Sequence, residues 1–426
     1  MNLMNKSRLF VFGLFLISFA CTKEVDVSSV LFDKDSTLSS SYSISINDVY
    51  DYLSDPVKTK SQDIRIDPVI TDNDTTLFIV NYDNGWEVLS SDRRAPRVFA
   101  KSDRGSITEA ELKTIPALSL LYGQFVSNIH FLKEHLSYTH TDNFYEKWDN
   151  TITVARRSVP SSERGLSSSY EIVQNHLLQT KWGQGHPWNI RAPYTSINLQ
   201  QHCLTGCGPV AMAQLLYYLQ YKVGIQYSPY LDCYTYKYIP DNLNYIYLGP
   251  GDVTFSSSND DPVIVWNSMP LDSLCVGQSF EAVSTLMIDM GRITNSRYFR
   301  YATSTYDYEL ANSFMSDLHL TVLSGDVDFV TLSELIIQDR MPAIFLIGHA
   351  DSWSSWSNGH FVVADAMRET YQTNNDVLTG RYVGFNWGWD GQCDDIWLNT
   401  DVINWNIQSN NYNTIHYMVY APVIDI

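Results

Sequence analysis

The chain has 426 residues, room for about two or three domains at ~100–200 residues each. At 44 % apolar and 18 % charged it has ordinary globular composition, not that of a disordered chain. A formal charge of −19 with no basic stripe argues against a nucleic-acid partner, because phosphate binding relies on clustered Lys and Arg.

Residues 1–21 read as an export signal. Lys6 and Arg8 form a positive start, and the nearly all-apolar run from Leu9 to Ala20 is too short to span a bilayer. The run ends in Ile17-Ser18-Phe19-Ala20-Cys21, a lipoprotein-type cleavage site at which Cys21 becomes the acylated first residue. Ser18 stands where Leu is usual. The expected location is therefore an exported, membrane-anchored lipoprotein at the cell surface or periplasmic face, or one released after maturation. Contact with membrane is expected through the lipid only.

Residues 22–40 are Ser- and Asp-rich, a tether to the first folded segment. That segment, 41–150, is expected to be a small α+β domain. Leu77-Phe78-Ile79-Val80 and Trp86-Glu87-Val88-Leu89 flank an Asn-Gly turn and predict a β-hairpin. Helical spacing follows over 112–136, interrupted early by Pro116. Residues 151–170, rich in Ser, Arg, Gly and Pro without apolar period, form a linker of the kind proteases nick.

The remaining segment, 171–426, carries the chemistry. A helix is predicted over 207–220, with Val210, Met212, Leu215, Leu216 and Leu219 on one face and Pro209 in its first turn. Strands are predicted over 343–347, 361–364 and 382–385. Cys207 opens the helix, where unpaired N–H groups and the dipole lower a thiol's pKa and can hold an oxyanion. Taken alone it is as readily a small buried residue.

His360, in Gly359-His360-Phe361-Val362-Val363-Ala364-Asp365, opens an apolar strand about 150 residues after Cys207, the order of a papain-like Cys–His pair. His349 competes, but lacks the apolar strand and the following Asp. Asn386-Trp387-Gly388-Trp389-Asp390-Gly391 offers an Asn oxygen to fix the imidazole and a Trp to shield it. In Trp182-Gly183-Gln184-Gly185, the Gln184 amide is a candidate oxyanion donor beside the Cys207 N–H. Without Cys21 five cysteines remain, Cys203, Cys207, Cys233, Cys275 and Cys393, an odd number that flags a free thiol or an intermolecular bridge. No second Cys pair and no His pair accompany C-x3-C at 203 and 207, so no zinc site and no cofactor are expected.

These motifs in this order resemble the streptopain family of cysteine peptidases, and residues 77–105 resemble the inhibitory propeptide of such enzymes. The resemblance implies a papain-like, two-lobed α+β catalytic domain and endopeptidase activity on protein and peptide substrates. It also implies intramolecular inhibition by the propeptide and activation by cleavage in the linker. It makes Cys207 the nucleophile and His360 the base, with Asn386 and Trp387 supporting the His. Gly359, Trp389 and Ser304, in the stretch 302–305, fall at substrate walls. Phe361 stands where the family often has Ala, which narrows a subsite. Two other readings remain open: a catalytically silent surface-binding lipoprotein on the same fold, and a Cys–His acyl-transfer enzyme such as a transglutaminase or amidase.

Overall fold

The structure, a computed structural model, describes residues 42–53, 63–138, 144, 169–195, 201–222, 245–248, 266–275, 279–316, 321–326, 328–350, 359–373, 376–403, 405 and 414–423. The proposed signal, Cys21, the tether, the linker up to residue 168 and Cys233 lie outside these residues.

The N-terminal half begins with helix α1 (Ile46–Leu53) and continues into an antiparallel meander of β1 (Arg65–Thr71), β2 (Asp74–Asn81), β3 (Trp86–Ser90) and β4 (Val98–Ser102). The predicted hairpin is β2–β3, with Asn81 opposite Trp86 and Gly85 at φ +107 in the turn, where a side chain is strained. The helical stretch divides at Pro116, as its missing N–H requires. Helix α2 (Glu109–Thr114) starts on a Thr108/Glu111 capping box, and α3 (Pro116–Glu134) restarts with Pro in its first turn.

The C-terminal half opens with β5 (Ser169–Gln174), so Ser169 and Tyr170, which the sequence places in the linker, already belong to a strand. Helix α4 (Cys207–Lys222), short strand β6 (Tyr245–Ile246) and helix α5 (Phe280–Ile293) follow. Next come β7 (Arg297–Phe299), β8 (Thr303–Ser304), helix α6 (Asp307–Ser316), β9 (Thr321–Asp326) and helix α7 (Phe329–Ile337). The chain then runs through β10 (Ala343–Ala350), β11 (His360–Gln372), β12 (Leu378–Asn386), β13 (Ile396–Asn399), helix α8 (Thr400–Ile403) and β14 (Thr414–Val423). All three predicted strands exist, each longer than its apolar core.

The two halves share one antiparallel sheet, ordered β1-β2-β3-β4-β13-β12-β11-β10-β14-β9, with β5 pairing β11 beyond the end of β10. At the junction β4 pairs β13, with Ala100, Lys101 and Ser102 opposite Leu398, Trp397 and Ile396. The N-terminal segment is thus continuous with the C-terminal half's sheet, and β4 covers the edge that β13 would otherwise leave unpaired. Asn399 Nδ2 donates to Val98 O at 2.7 Å, and Asn128 Nδ2 to Trp405 O at 2.9 Å. Arg368 donates to Asp103 at 2.9 Å while its guanidinium lies over the Trp397 ring.

Strand alternation sorts the core into layers. Ile344, Leu346, Phe361 and Val363 meet α4 and α5 on one face. Phe345, Ile347, Val362, Phe385 and Trp387 meet the α3 residues Leu121, Phe125 and Ile129 and the α7 residues Leu332 and Ile336 on the other. Antiparallel sheet with helices packed against both faces is the α+β arrangement expected from the sequence. No described helix is long and apolar enough to cross a membrane.

Candidate active site

Cys207 stands at the first residue of α4, and the turn before it is tightly built. Gly206 has φ +98, and a Cβ there would lie 2.8 Å from Thr303 Cγ2. A Cβ on Gly208 would meet Thr305 Oγ1 at 2.9 Å. Thr303 Oγ1 donates to Leu204 O at 2.6 Å, so the 303–305 segment lies across the turn on both sides of the cysteine. Ser304 between them is exposed. From the other side, Thr205 N donates to Gln184 O at 3.0 Å, placing the Trp182–Gln184 loop two residues from Cys207.

The half-buried thiol packs at the edge of the layer containing Phe361 and Leu346. Burial pushes its pKa up, and hydrogen bonding from the Phe361, Gly208 and Cys207 backbones opposes this only in part. The net direction corrects the sequence expectation of a lowered value: the helix start is present, but desolvation outweighs it.

His360 is the first residue of β11 and pairs with Ile347 of β10. Its Nε2 donates to the Trp387 carbonyl at 2.8 Å. The ring stacks on Trp389, with centroids 4.4 Å apart and planes at 21°. Burial drives its pKa down to about 4, against the pull of the Trp387 carbonyl. Because that carbonyl can only accept, Nε2 carries the proton and Nδ1 keeps a lone pair able to take another. Cys207 and His360 come to neighbouring elements but make no hydrogen bond with each other.

The Asn386 side chain makes no hydrogen bond with the imidazole. Its Oδ1 accepts from Gln214 Nε2 at 2.9 Å and Gly388 N at 3.1 Å, and its Nδ2 donates to Thr180 O at 2.6 Å. The buried Asn therefore pins β12 to α4 and to the 180–184 loop, and the acceptor for His360 is the next residue's backbone. Asp390 completes this clasp by accepting from Trp188 Nε1. A Cβ on Gly183 would lie 2.7 Å from its carboxylate, so a side chain there would push Asp390 away from Trp188. Gly359 is exposed next to His360, and Trp389 is half-buried over the imidazole. His349 lies in β10 with its backbone paired to Ile415.

One cluster escaped the sequence reading. His176 Nδ1 bonds Asp365 Oδ1 at 2.7 Å, Asp365 Oδ2 accepts from Leu178 N at 2.9 Å, and Asp394 Oδ1 accepts from Trp387 N at 3.3 Å. The only signal was the Asp that ends the His360 motif; His176 sits in an unremarkable stretch. Among the described cysteines, Cys203, Cys207, Cys275 and Cys393 are free. No described group of His, Cys, Asp and Glu could hold a metal.

The profile of the Peptidase C10 family matches residues 182–397. No curated protein matches the chain. A fragment of prointerpain A from Prevotella intermedia, solved with a cysteine-to-alanine substitution, is similar in fold. It matches with a TM-score of 0.52 and 17 % identity, over 84 % of this chain and 98 % of that one. The active wild-type interpain A cysteine protease of the same organism matches with a TM-score of 0.37 and 19 % identity, over 58 % of this chain and 94 % of that one. By a match that spans Cys207, His360 and the Trp387 loop, the chain belongs to the Peptidase C10 family of cysteine peptidases.

Proposed function

We propose that the chain is the exported, lipid-anchored precursor of a cysteine endopeptidase. The observation that carries this reading is Cys207 at a helix start beside the strand of His360, with the Trp387 carbonyl holding Nε2. In the active form Nδ1 of His360 takes the thiol proton, and the thiolate attacks the peptide carbonyl. The Cys207 N–H and the Gln184 amide receive the oxyanion. The imidazolium then protonates the leaving amine, and water hydrolyses the Cys207 thioester. Gly359 and Ser304, both exposed, contact substrate backbone, and Trp389 walls the site.

In the arrangement described, thiol and imidazole are both neutral at pH 7 and not bonded to each other, which fits a dormant precursor. Cleavage within 151–170 releases the N-terminal half as inhibitor and lets His360 turn to Cys207. Acylation of Cys21 tethers the precursor, each buried CH₂ adding about 0.8 kcal/mol of membrane affinity.

Intact-mass spectrometry of wild type and Cys207→Ala, incubated with reductant and an epoxide thiol inhibitor, tests the reading. Loss of roughly the first 150–170 residues in wild type alone, with one adduct on Cys207, is expected from a nick in such an exposed linker. An intact, unlabelled wild type, still unlabelled after trypsin has cut the linker, would sink it. That outcome would favour the second reading, a silent binding lipoprotein, to which the unbonded Cys207 and His360 lend some support.

A further inference from the structure

Cys207 stands between two glycines, so its immediate neighbours bring no side chain to steady its backbone. Its N–H belongs to the Gly206–Cys207 peptide, whose carbonyl accepts from Val210 N at 3.1 Å. The faces that the glycines leave bare are covered from outside: a Cβ on Gly206 would meet the Thr303 methyl, and one on Gly208 the Thr305 hydroxyl. The Thr303 hydroxyl also holds Leu204 O at 2.6 Å. In the short β7–β8 ladder Tyr298 pairs with Thr303 and Arg297 with Ser304. Thr305 lies one residue beyond that ladder and is tied down by its side chain.

The tie is a row of hydroxyls. Thr305 Oγ1 lies 2.6 Å from Ser296 Oγ, and Ser296 Oγ lies 2.9 Å from Thr294 Oγ1. Thr294 Oγ1 donates to Met290 O, in the last turn of α5, at 2.7 Å. A carbonyl only accepts, so Thr294 spends its one proton there and accepts from Ser296, which in turn accepts from Thr305. The order of donation is thereby set along the whole row. Thr294 and Ser296 are fully buried, where a hydroxyl is costly unless it is bonded. Helix α5 packs on α4 in the same apolar layer, which closes a ring of contacts from the Cys207 helix through α5 and the hydroxyls back to the Cys207 turn. We infer that Ser296 and Thr305 are positioning residues: by tying residues 303–305 to α5 they hold Gly206 and Gly208, and with them the Cys207 N–H, in the place where an oxyanion forms.

This role is separable from that of the thiol. Acylation builds negative charge on the substrate oxygen and depends on where the N–H points. Alkylation of the thiol by iodoacetamide displaces iodide at a saturated carbon and builds no oxyanion. A slackened brace therefore slows the first reaction and spares the second.

The inference rests on the proposed function in taking Cys207 as nucleophile and its N–H as oxyanion donor, so turnover is paired with a readout that needs neither. The full chain is cut in the linker and assayed with both parts left together. Ser296→Ala, and Thr305→Val, which keeps the shape and removes the proton, are expected to lower kcat on a peptide substrate roughly 10-fold, the scale of a small misplacement. KM and the iodoacetamide rate should stay within about twofold. Thr305→Ser, which keeps the proton, should stay near the parent kcat. An unchanged kcat in either Ser296→Ala or Thr305→Val overturns the inference. So does alkylation that falls in step with kcat, or a Thr305→Ser chain as slow as Thr305→Val. In the uncut Cys207→Ala chain, hydrogen exchange over residues 204–210, where Thr205 N and Val210 N are bonded, should quicken several-fold with Ser296→Ala or Thr305→Val and not with Thr305→Ser. Equal exchange in all of them overturns the inference as well. If the unsubstituted cut chain neither turns over substrate nor takes an epoxide label, the peptidase reading fails and hydrogen exchange alone decides this one.

Discussion

Ile347 and His360 are cross-strand partners, so the imidazole leaves the sheet on the face that carries Phe345 and Val362. Cys207 packs on the opposite layer, against Phe361. Moving the imidazole to the thiol therefore requires turning the first residue of β11. That residue follows exposed Gly359, where an added Cβ would lie 3.1 Å from Leu346 Cδ1. The stack on Trp389 and the bond to Trp387 are what hold His360 where it is.

Replacing the nucleophile should be absolute in its effect and silent in stability. Cys207→Ala is expected to lower casein hydrolysis at least ~10³-fold, the scale seen when a nucleophile is deleted. It should also stop self-maturation while leaving the melting temperature within a degree or two. A Cys207→Ala chain that matures at the wild-type rate would refute the assignment.

The lowered pKa of His360 predicts an acid-sensitive precursor. Above about pH 6.5 the imidazole is neutral in both folded and unfolded chains, and nothing changes. As pH falls from there towards 4, the unfolded chain gains a proton that the folded site refuses, so stability falls. His176, raised to about 9, has the opposite sign: its contribution is full below pH 6.5 and is lost as pH rises through 9. Comparing Cys207→Ala with Cys207→Ala/His360→Gln by thermal melting isolates the His360 part. The gap should shift by about 1–2 kcal/mol against the His-containing chain between pH 7.5 and 5. A gap independent of pH would contradict the buried, neutral imidazole.

Phe125 should distinguish precursor from mature enzyme. Its ring lies 5.0 Å from Phe99 and 5.1 Å from Trp405, joining α3 to β4 and to the C-terminal half. Phe125→Ala is expected to cost the precursor about 3–5 kcal/mol, as a large-to-small core change. Activity of the separated mature part should be unchanged, because the residue has left with the N-terminal half. Equal melting temperatures of the two precursors would show that α3 does not hold the halves together.

Gly206→Ala should perturb the nucleophile without touching it. The methyl would lie 2.8 Å from Thr303 Cγ2 on a residue at φ +98, a combination of clash and backbone strain worth about 1–3 kcal/mol. Inhibitor labelling of Cys207 should slow several-fold. Thr303→Ala in the same chain should recover only the steric part. Full recovery would mean that the positive φ carries no cost.

Much of the fold was legible because its signals are local. The β2–β3 hairpin, the break at Pro116, the helix at Cys207 and the apolar strands around 344, 362 and 384 all follow from side-chain period and turn chemistry. The sharing of one sheet was not legible, since the pairing of Ala100 with Leu398 joins residues far apart in sequence and no periodicity encodes a partner. At the site, residue types pointed to Cys207, His360 and the Trp387 loop, but not to their states. Side-chain logic suggested Asn386 as the acceptor for His360, whereas a backbone carbonyl, which every residue has, makes that bond. The raised Cys207 pKa depends on how much burial surrounds the thiol, and His176 acquires meaning only once folding brings it to Asp365.

Departure of the N-terminal half would open the β4–β13 ladder. Losing β4 strips Ile396–Asn399 of its neighbour and turns a central strand into an open rim, with free N–H and C=O groups beside Trp397 and Leu398. Such a rim can be refilled by any extended chain, the departed half included. Cutting the linker would then change an intramolecular clamp into a bimolecular one, whose hold weakens as the pieces dilute. For the lipid-anchored precursor proposed above, escape of the severed segment by diffusion would set the onset of activity as much as the cut itself.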